Sequence, residues 1–286
     1  MSLSTLAPVA QVREPGGRLV DDLRAAKVVW KRELIRFSRS RSRIVTSLVQ
    51  PVLYLLVLGT GLSVIVKGGH FDFRTFMFPG VVGMTLLFTA IFSAISIVWD
   101  REFGFLREML VAPVRRWALV MGKCLGGATV ATIQAAIMLA LAGAVGVPYS
   151  PAMLAELLGE MVLTSIALTA FGVLVASRMS RVESFQVVMQ VVVLPMFFLS
   201  GAIFPLSRLP SWLGALTKID PLTYAIDPMR QTVFARLVVP GPVLRAFDPG
   251  VSWNGWRVPI GLELGLVGLA AVLLLAGAVV QFSRTE

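Results

Sequence analysis

Six apolar runs decide what this chain can fold into: roughly residues 44–66, 75–98, 118–146, 154–177, 185–205 and 259–282. Each is long enough to cross about 30 Å of hydrocarbon as a helix. Only 15% of the 286 residues are charged, and mean hydropathy is +0.81. Soluble domains carry about 25% charge. The expected fold class is therefore an all-α polytopic membrane protein with six transmembrane helices, making residues 44–286 one transmembrane domain. The third run, at 29 residues, is longer than a bilayer needs and is expected to tilt or to extend beyond it.

Net charge is +10. The basic residues flank the spans, where the positive-inside rule accounts for them, so no nucleic-acid partner is implied. Ten lie before the first span: Arg13, Arg18, Arg24, Lys27, Lys31, Arg32, Arg36, Arg39, Arg41 and Arg43. The loop between spans two and three adds Arg101, Arg107, Arg115 and Arg116, and the next loop on that side adds Arg178 and Arg181. On the other side, the first loop has Lys67 and Arg74, and the third, at 146–153, has none. Both termini are therefore expected in the cytoplasm of a multi-pass cell-membrane protein. The external segment 206–258 carries six basic residues, which weigh little in so long a loop.

Residues 1–17 read as a flexible cytoplasmic tail rather than a cleavable signal, because the first apolar run begins only near Ile44. Residues 18–43 read as an interfacial amphipathic helix. Leu19, Leu23, Ala26, Trp30, Leu34 and Phe37 share a stripe, with Lys27, Lys31, Arg32 and Arg36 on other faces. Such a helix either rests on anionic lipid or packs beside a partner. In the external segment, Trp212, Leu216 and Ile219 fall on one face of a short helix that Asp220-Pro221 breaks, which suits the outer interface.

The most charged stretch between two spans runs Asp100-Arg101-Glu102-Phe103-Gly104-Phe105-Leu106-Arg107-Glu108-Met109-Leu110-Val111-Ala112-Pro113-Val114-Arg115-Arg116, with Gly122-Lys123 just beyond. Phe103, Leu106 and Leu110 follow i, i+3, i+7 and form an apolar ridge bordered by Arg107. Pro113 is expected to end the helix near Ala112. Such a helix of about 12 residues is about 18 Å long, enough to lie across a groove on another protein. The alternative is a solvated amphipathic loop helix.

The run Arg101 to Arg115, followed by Gly122-Lys123, resembles the signature of the membrane-subunit family of ATP-binding-cassette exporters that handle drugs, lipids and polysaccharides, most of all the daunorubicin-resistance type. Phe198-Leu199-Ser200-Gly201-Ala202-Ile203-Phe204-Pro205, Leu209 to Leu213, Pro221 to Arg230 and the opening Gln50-Pro51-Val52-Leu53-Tyr54 agree with it. The resemblance implies a six-span subunit that dimerises, with itself or a related permease, and recruits two copies of a separate ATPase. The coupling helix would be carried by Arg101, Glu102, Phe103, Gly104, Leu106, Arg107, Glu108, Leu110, Pro113 and Arg115, seated in a cleft of that ATPase. A second, smaller contact would use Arg178, Arg181 and Glu183. Short helices between spans five and six would dip back into the outer leaflet.

The residues themselves point to an outside engine. A P-loop needs G-x-x-x-x-G-K-[ST] to cradle phosphates and hold magnesium. Here Gly122-Lys123 is followed by Cys124, and position 117 is Trp. ATP and Mg are thus expected on the partner, and no cofactor on this chain. A single His70 and a single Cys124 supply neither a zinc site nor a nucleophile–base pair, so the chain is not expected to be an enzyme.

Several span residues stay open at this level. Gly122-x-x-x-Gly126 and Gly261-x-x-x-Gly265 fit a seam with a second copy or the ordinary glycine content of membrane helices. Glu156, Glu160 and Glu263 fit either helix starts near an interface or functional acids. Gln134 and Gln190 either line a path or bond a neighbouring helix. The leading reading is a permease that exports a hydrophobic or amphiphilic molecule. An ion-coupled transporter or channel is the alternative, and it would need buried acids or broken helices at the midplane.

Overall fold

The computed structural model describes residues 19–65, 72–104, 114–206, 210–237, 247, 250–253 and 255–284. Six helices among these are long and apolar enough to span a membrane: Ile44–Val64, Phe73–Glu102, Arg116–Leu139, Pro151–Ala176, Val182–Leu199 and Ile260–Ser283. In hydrocarbon a backbone must satisfy its polar groups internally, which helices do and open strands do not. Strand among the described residues is accordingly confined to a two-residue hairpin outside the spans, Ser252–Trp253 against Trp256–Arg257. The chain is an all-α polytopic membrane protein.

The second span is the axis of the bundle: 78% of its apolar window is buried, against 17%, 22% and 22% for the first, fifth and sixth. Those three present apolar flanks that lipid or another protein must cover. Glycines let neighbours approach the axis. A Cβ on Gly80 would lie 2.2 Å from the Ala202 carbonyl oxygen, and one on Gly83 would lie 2.6 Å from Ile226. The Gly83 contact seats the helix Thr223–Phe234, which is buried along nearly its whole length, against the second span. The preceding helix, Ser211–Ile219, keeps Trp212, Leu216 and Ile219 exposed, so its apolar face is turned away from the bundle.

The third span ends at Leu139 rather than running on to residue 146. A tight 3-10 turn at Ala142–Val145 follows, closed by Gly146 at φ 79°. Tyr149 terminates the helix: its hydroxyl donates to the Ala140 carbonyl at 2.6 Å and accepts from the Gly143 N–H at 3.0 Å. Backbone groups at a helix end need such partners, and a tyrosine nine residues on supplies two of them.

The amphipathic helix, α1 (Leu19–Arg39), packs along the third span. The face it buries shares Ala26 with the apolar stripe, and Trp30 of that stripe donates to the Thr129 hydroxyl at 3.1 Å. Asp22, Ala26 and Val29 face the bundle, with Glu33 and Arg36 continuing the line, whereas Leu19 and Leu23 are exposed. Ion pairs and a glycine seat, rather than the largest side chains, fix this inner face. A Cβ on Gly122 would meet the Ala26 carbonyl oxygen and Val29 at 2.7 Å, and one on Gly126 would meet Glu33 at 2.7 Å. The Gly122-x-x-x-Gly126 motif is therefore the seat of α1 within the subunit. A Cβ on Gly261 or Gly265 would meet no other part of the described residues within 4 Å.

Candidate site for energy coupling

Residues 105–113 lie outside the described residues, and with them Leu106, Arg107, Glu108, Leu110 and Pro113 of the expected coupling helix. The flanks of that segment are described, and they are tied into the bundle on both sides. On its N-terminal flank the second span continues as helix to Glu102 and stops there, with Gly104 at φ 80°. This left-handed residue is the usual helix stop. Phe103 therefore sits at the end of the second span, 69% exposed.

Arg101 and Glu102 reach sideways to the next loop. One Arg101 nitrogen, Nη1, donates to the carbonyls of Met179, Ser177 and Ala176 at 2.7, 3.1 and 3.4 Å, capping the C-terminus of the fourth span. The Glu102 carboxylate accepts from the Val182 N–H at 2.9 Å, at the first residue of the fifth span. Each charge has the sign that its helix end favours: a cation at carbonyls, an anion at amides. Two adjacent residues thus brace the loop that carries Arg178, Arg181 and Glu183, which stay exposed.

The C-terminal flank is anchored as well. Asp22 of α1, 1% exposed, accepts from the Arg115 N–H at 3.2 Å and lies 3.5 Å from its Nε. The neighbouring Arg116 donates to the Ser283 carbonyl at 2.7 Å, at the end of the sixth span.

Beneath these flanks lies a buried charge cluster. The Lys123 ammonium, 8% exposed, contacts Asp100 and Glu33 at 2.7 Å each and the Ser96 hydroxyl at 3.1 Å. Arg32 reaches Asp100 at 3.1 Å, and Arg36 lies 3.9 Å from both Asp100 and Glu33. The cluster fastens α1 to the second and third spans. Sequence reasoning quoted Asp100 and Lys123 but did not pair them, and it missed Asp22 and Glu33. The available signal was Lys123 itself. A lysine two turns inside a span is costly unless paired, and acids at 22 and 33 are spaced to share a helix face.

At the opposite end of the bundle, Glu156 pairs with Arg236 at 3.0 Å, and buried Glu160 accepts from the Thr232 hydroxyl at 2.8 Å. Residues four apart on the fourth span so meet residues four apart at the end of the Thr223–Phe234 helix. Glu263 is buried. Gln134 bonds neighbouring helices: it donates to Ser47 of the first span at 2.6 Å and accepts from Thr89 of the second. Gln190 is exposed. Within the Thr223–Phe234 helix, Arg230 is fully enclosed, donating to the Gly201 carbonyl and lying 4.5 Å over the Phe76 ring.

The described residues form a six-helix membrane bundle whose segment between spans two and three is tied at its flanks to α1 and to the ends of spans four, five and six. Residues 24–234, from α1 to the end of the buried helix, match the model of the ABC-2 type transporter family, and the chain belongs to that family. It is 28% identical over 208 residues to a protein named as a transport permease, ycf38, of Cyanophora paradoxa, covering 71% of this chain and 72% of the relative. It is 32% identical over 164 residues to a protein named as a multidrug ABC transporter permease, YbhR, of Escherichia coli K12. That match covers 57% of this chain and 44% of the relative, so it spans less than half of the E. coli protein. Nodulation protein J of Rhizobium leguminosarum bv. trifolii is 28% identical over 215 residues, covering 74% of this chain and 82% of the relative. The protein is a transport permease of an ABC transporter, and the family implies an ABC ATPase as its partner.

Proposed function

We propose that this permease is the membrane half of an ATP-driven exporter that moves a hydrophobic or amphiphilic molecule, drug-like or lipid-like, out of the cytoplasm or the inner leaflet. The ATPase is a separate chain, present twice and holding ATP and Mg. The permease works as a dimer, with itself or a related permease, in the plasma membrane, with both termini and the 105–113 segment on the cytoplasmic side. The 101–115 segment docks on the ATPase, and Arg178, Arg181 and Glu183 make the second contact.

The observation that carries this reading is the pair of tied flanks. A push on residues 105–113 reaches the fourth and fifth spans through Arg101 and Glu102, α1 through Arg115, and the sixth span through Arg116. ATP acts on such a bundle only through its different affinity for two packings of the spans. Placing Phe103, Leu106 and Arg107 at the docking surface predicts that their triple alanine variant loses ATPase association or uncouples hydrolysis from export. Normal assembly and export in that variant would remove the docking role. Orientation is tested separately: a cysteine replacing Ser211 should react with an impermeant reagent from outside, and reaction only after permeabilisation would invert the topology.

A further inference from the structure

The fourth and sixth spans lie side by side, while the fifth packs on the second span instead. The space left between them is a cavity of about 300 Å³, lined at one rim by residues 221–225. Its back wall is buried, with Leu168 from the fourth span, Val267 from the sixth and Ala225 from the Thr223–Phe234 helix. Its lips are only half-buried: Val192 and Met196 on the fifth span, Leu266 and Ala270 on the sixth. The cavity therefore opens sideways, between the fifth and sixth spans, toward whatever surrounds the bundle.

The wall is hydrocarbon, and no lining residue is charged. Tyr224 brings its ring but not a free hydroxyl, which donates to the Lys218 carbonyl at 2.7 Å and accepts from the Trp253 indole at 3.0 Å. The Thr164 hydroxyl oxygen is covered. Water needs two to four polar partners to settle in such a space and finds none here. Left empty, the walls would forfeit close packing over a volume about twice that of an apolar cavity known to take up benzene. Depth and level choose the occupant. The cavity runs from Leu266 to Leu274, eight residues of the sixth span and about 12 Å along its axis. The hydrocarbon of one leaflet is about 15 Å deep. Next to the rim, Trp253 bonds Tyr224 and the helix Ser211–Ile219 holds Trp212 66% exposed. Such aromatic side chains settle at headgroup level. We infer that this cavity holds one acyl chain of a membrane lipid, which enters between the fifth and sixth spans from the leaflet at the Trp212 end and is bound without regard to its head group. The chain supplies the packing that the fifth span does not make with the fourth and sixth. The site needs only the membrane placement of the spans, so it stands apart from the direction of transport and from the ATPase.

The test uses the full chain in phosphatidylcholine nanodiscs doped with a phosphatidylcholine that carries a diazirine at mid-chain. After illumination, labelled peptides are mapped by mass spectrometry. Wild type should be labelled at the back wall, around Leu168 and Ala225, as well as at Leu269 and Leu273 on the exposed face of the sixth span. Ala270→Phe puts a ring in the mouth and should lower back-wall labelling by about tenfold, the effect of excluding roughly two methylenes from apolar burial. Labelling at Leu269 should stay unchanged in that variant. Met196→Trp fills the mouth from the opposite lip and should act alike, with gel filtration reporting whether each variant is folded. The same probe on phosphatidylglycerol should label the back wall as well as phosphatidylcholine does. A back wall unlabelled in wild type, as when a second subunit seals the mouth, would overturn the assignment whatever the variants do. So would back-wall labelling that survives in a folded variant, or that one head group alone supports.

Discussion

Lys123 is the residue whose removal the structure penalises most clearly. Lys123→Met keeps the length of the side chain and deletes a charge that contacts Asp100 and Glu33 at 2.7 Å each. Breaking a buried pair by removing one partner costs about 3–5 kcal/mol, because the other charge stays buried. Asp100 is 2% exposed but retains Arg32 at 3.1 Å, so the lower end of that range, about 3 kcal/mol, is expected. Asp100→Asn should cost about as much, by leaving Lys123 with Glu33 and Ser96 and removing the carboxylate that Arg32 reaches. The double variant removes both charges together and should cost about 2 kcal/mol less than the sum of the singles. Denaturant unfolding of the purified protein in detergent, followed by circular dichroism, measures all three. A Lys123→Met variant within about 0.5 kcal/mol of wild type, or strictly additive singles, would refute the claim that this cluster fastens α1 to the bundle.

Other consequences can be checked with single variants. Arg101→Gln removes the cation from three carbonyls at the end of the fourth span and is expected to lower export per ATP hydrolysed in the assembled transporter, with stability down by about 1–2 kcal/mol; unchanged coupling would reduce Arg101 to a local cap. Gly122→Leu should release α1 to added protease, since even a Cβ there would lie 2.7 Å from the Ala26 carbonyl, at a cost of about 1–3 kcal/mol. Gly261→Ala, with nothing within 4 Å, should shift stability by less than about 0.5 kcal/mol unless that face meets another subunit, which a lost dimer band on native gels would reveal. Burial raises the Asp220 carboxyl from 3.8 to about 7, despite opposing hydrogen bonds from Leu222 and Thr223. The folded protein then holds a proton that the unfolded chain has released, so the group's contribution is full below pH about 4 and is lost as pH rises toward about 7. Asp220→Asn should flatten that limb of the pH–stability curve, and an unchanged curve would show that Asp220 does not titrate in this window.

Spans were legible because bilayer crossing imposes a long apolar run, and no tertiary detail is needed to see one. The short helix with Trp212, Leu216 and Ile219 outward was legible for a similar reason: Asp220-Pro221 stops it locally. The face of α1 was not. A periodicity argument finds the interfacial stripe of Leu19 and Leu23, yet the bundle holds Asp22 and Glu33, whose partners Arg115 and Lys123 lie about ninety residues away. Pairings that distant leave no trace in local spacing. Within the candidate site, Arg101 and Glu102 were singled out as surface contacts of a partner. Their described bonds are to the ends of the subunit's own fourth and fifth spans.

The central claim is that a separate nucleotide-hydrolysing chain drives this bundle through the 105–113 segment. The most direct measurement is transport of a labelled amphiphile by proteoliposomes containing the permease, with and without its ATPase and with ATP on the side that carries α1. The account predicts movement only when both chains and hydrolysable ATP are present, and none when Phe103, Leu106 and Arg107 are all alanine. Movement at the full rate by the permease alone would contradict it.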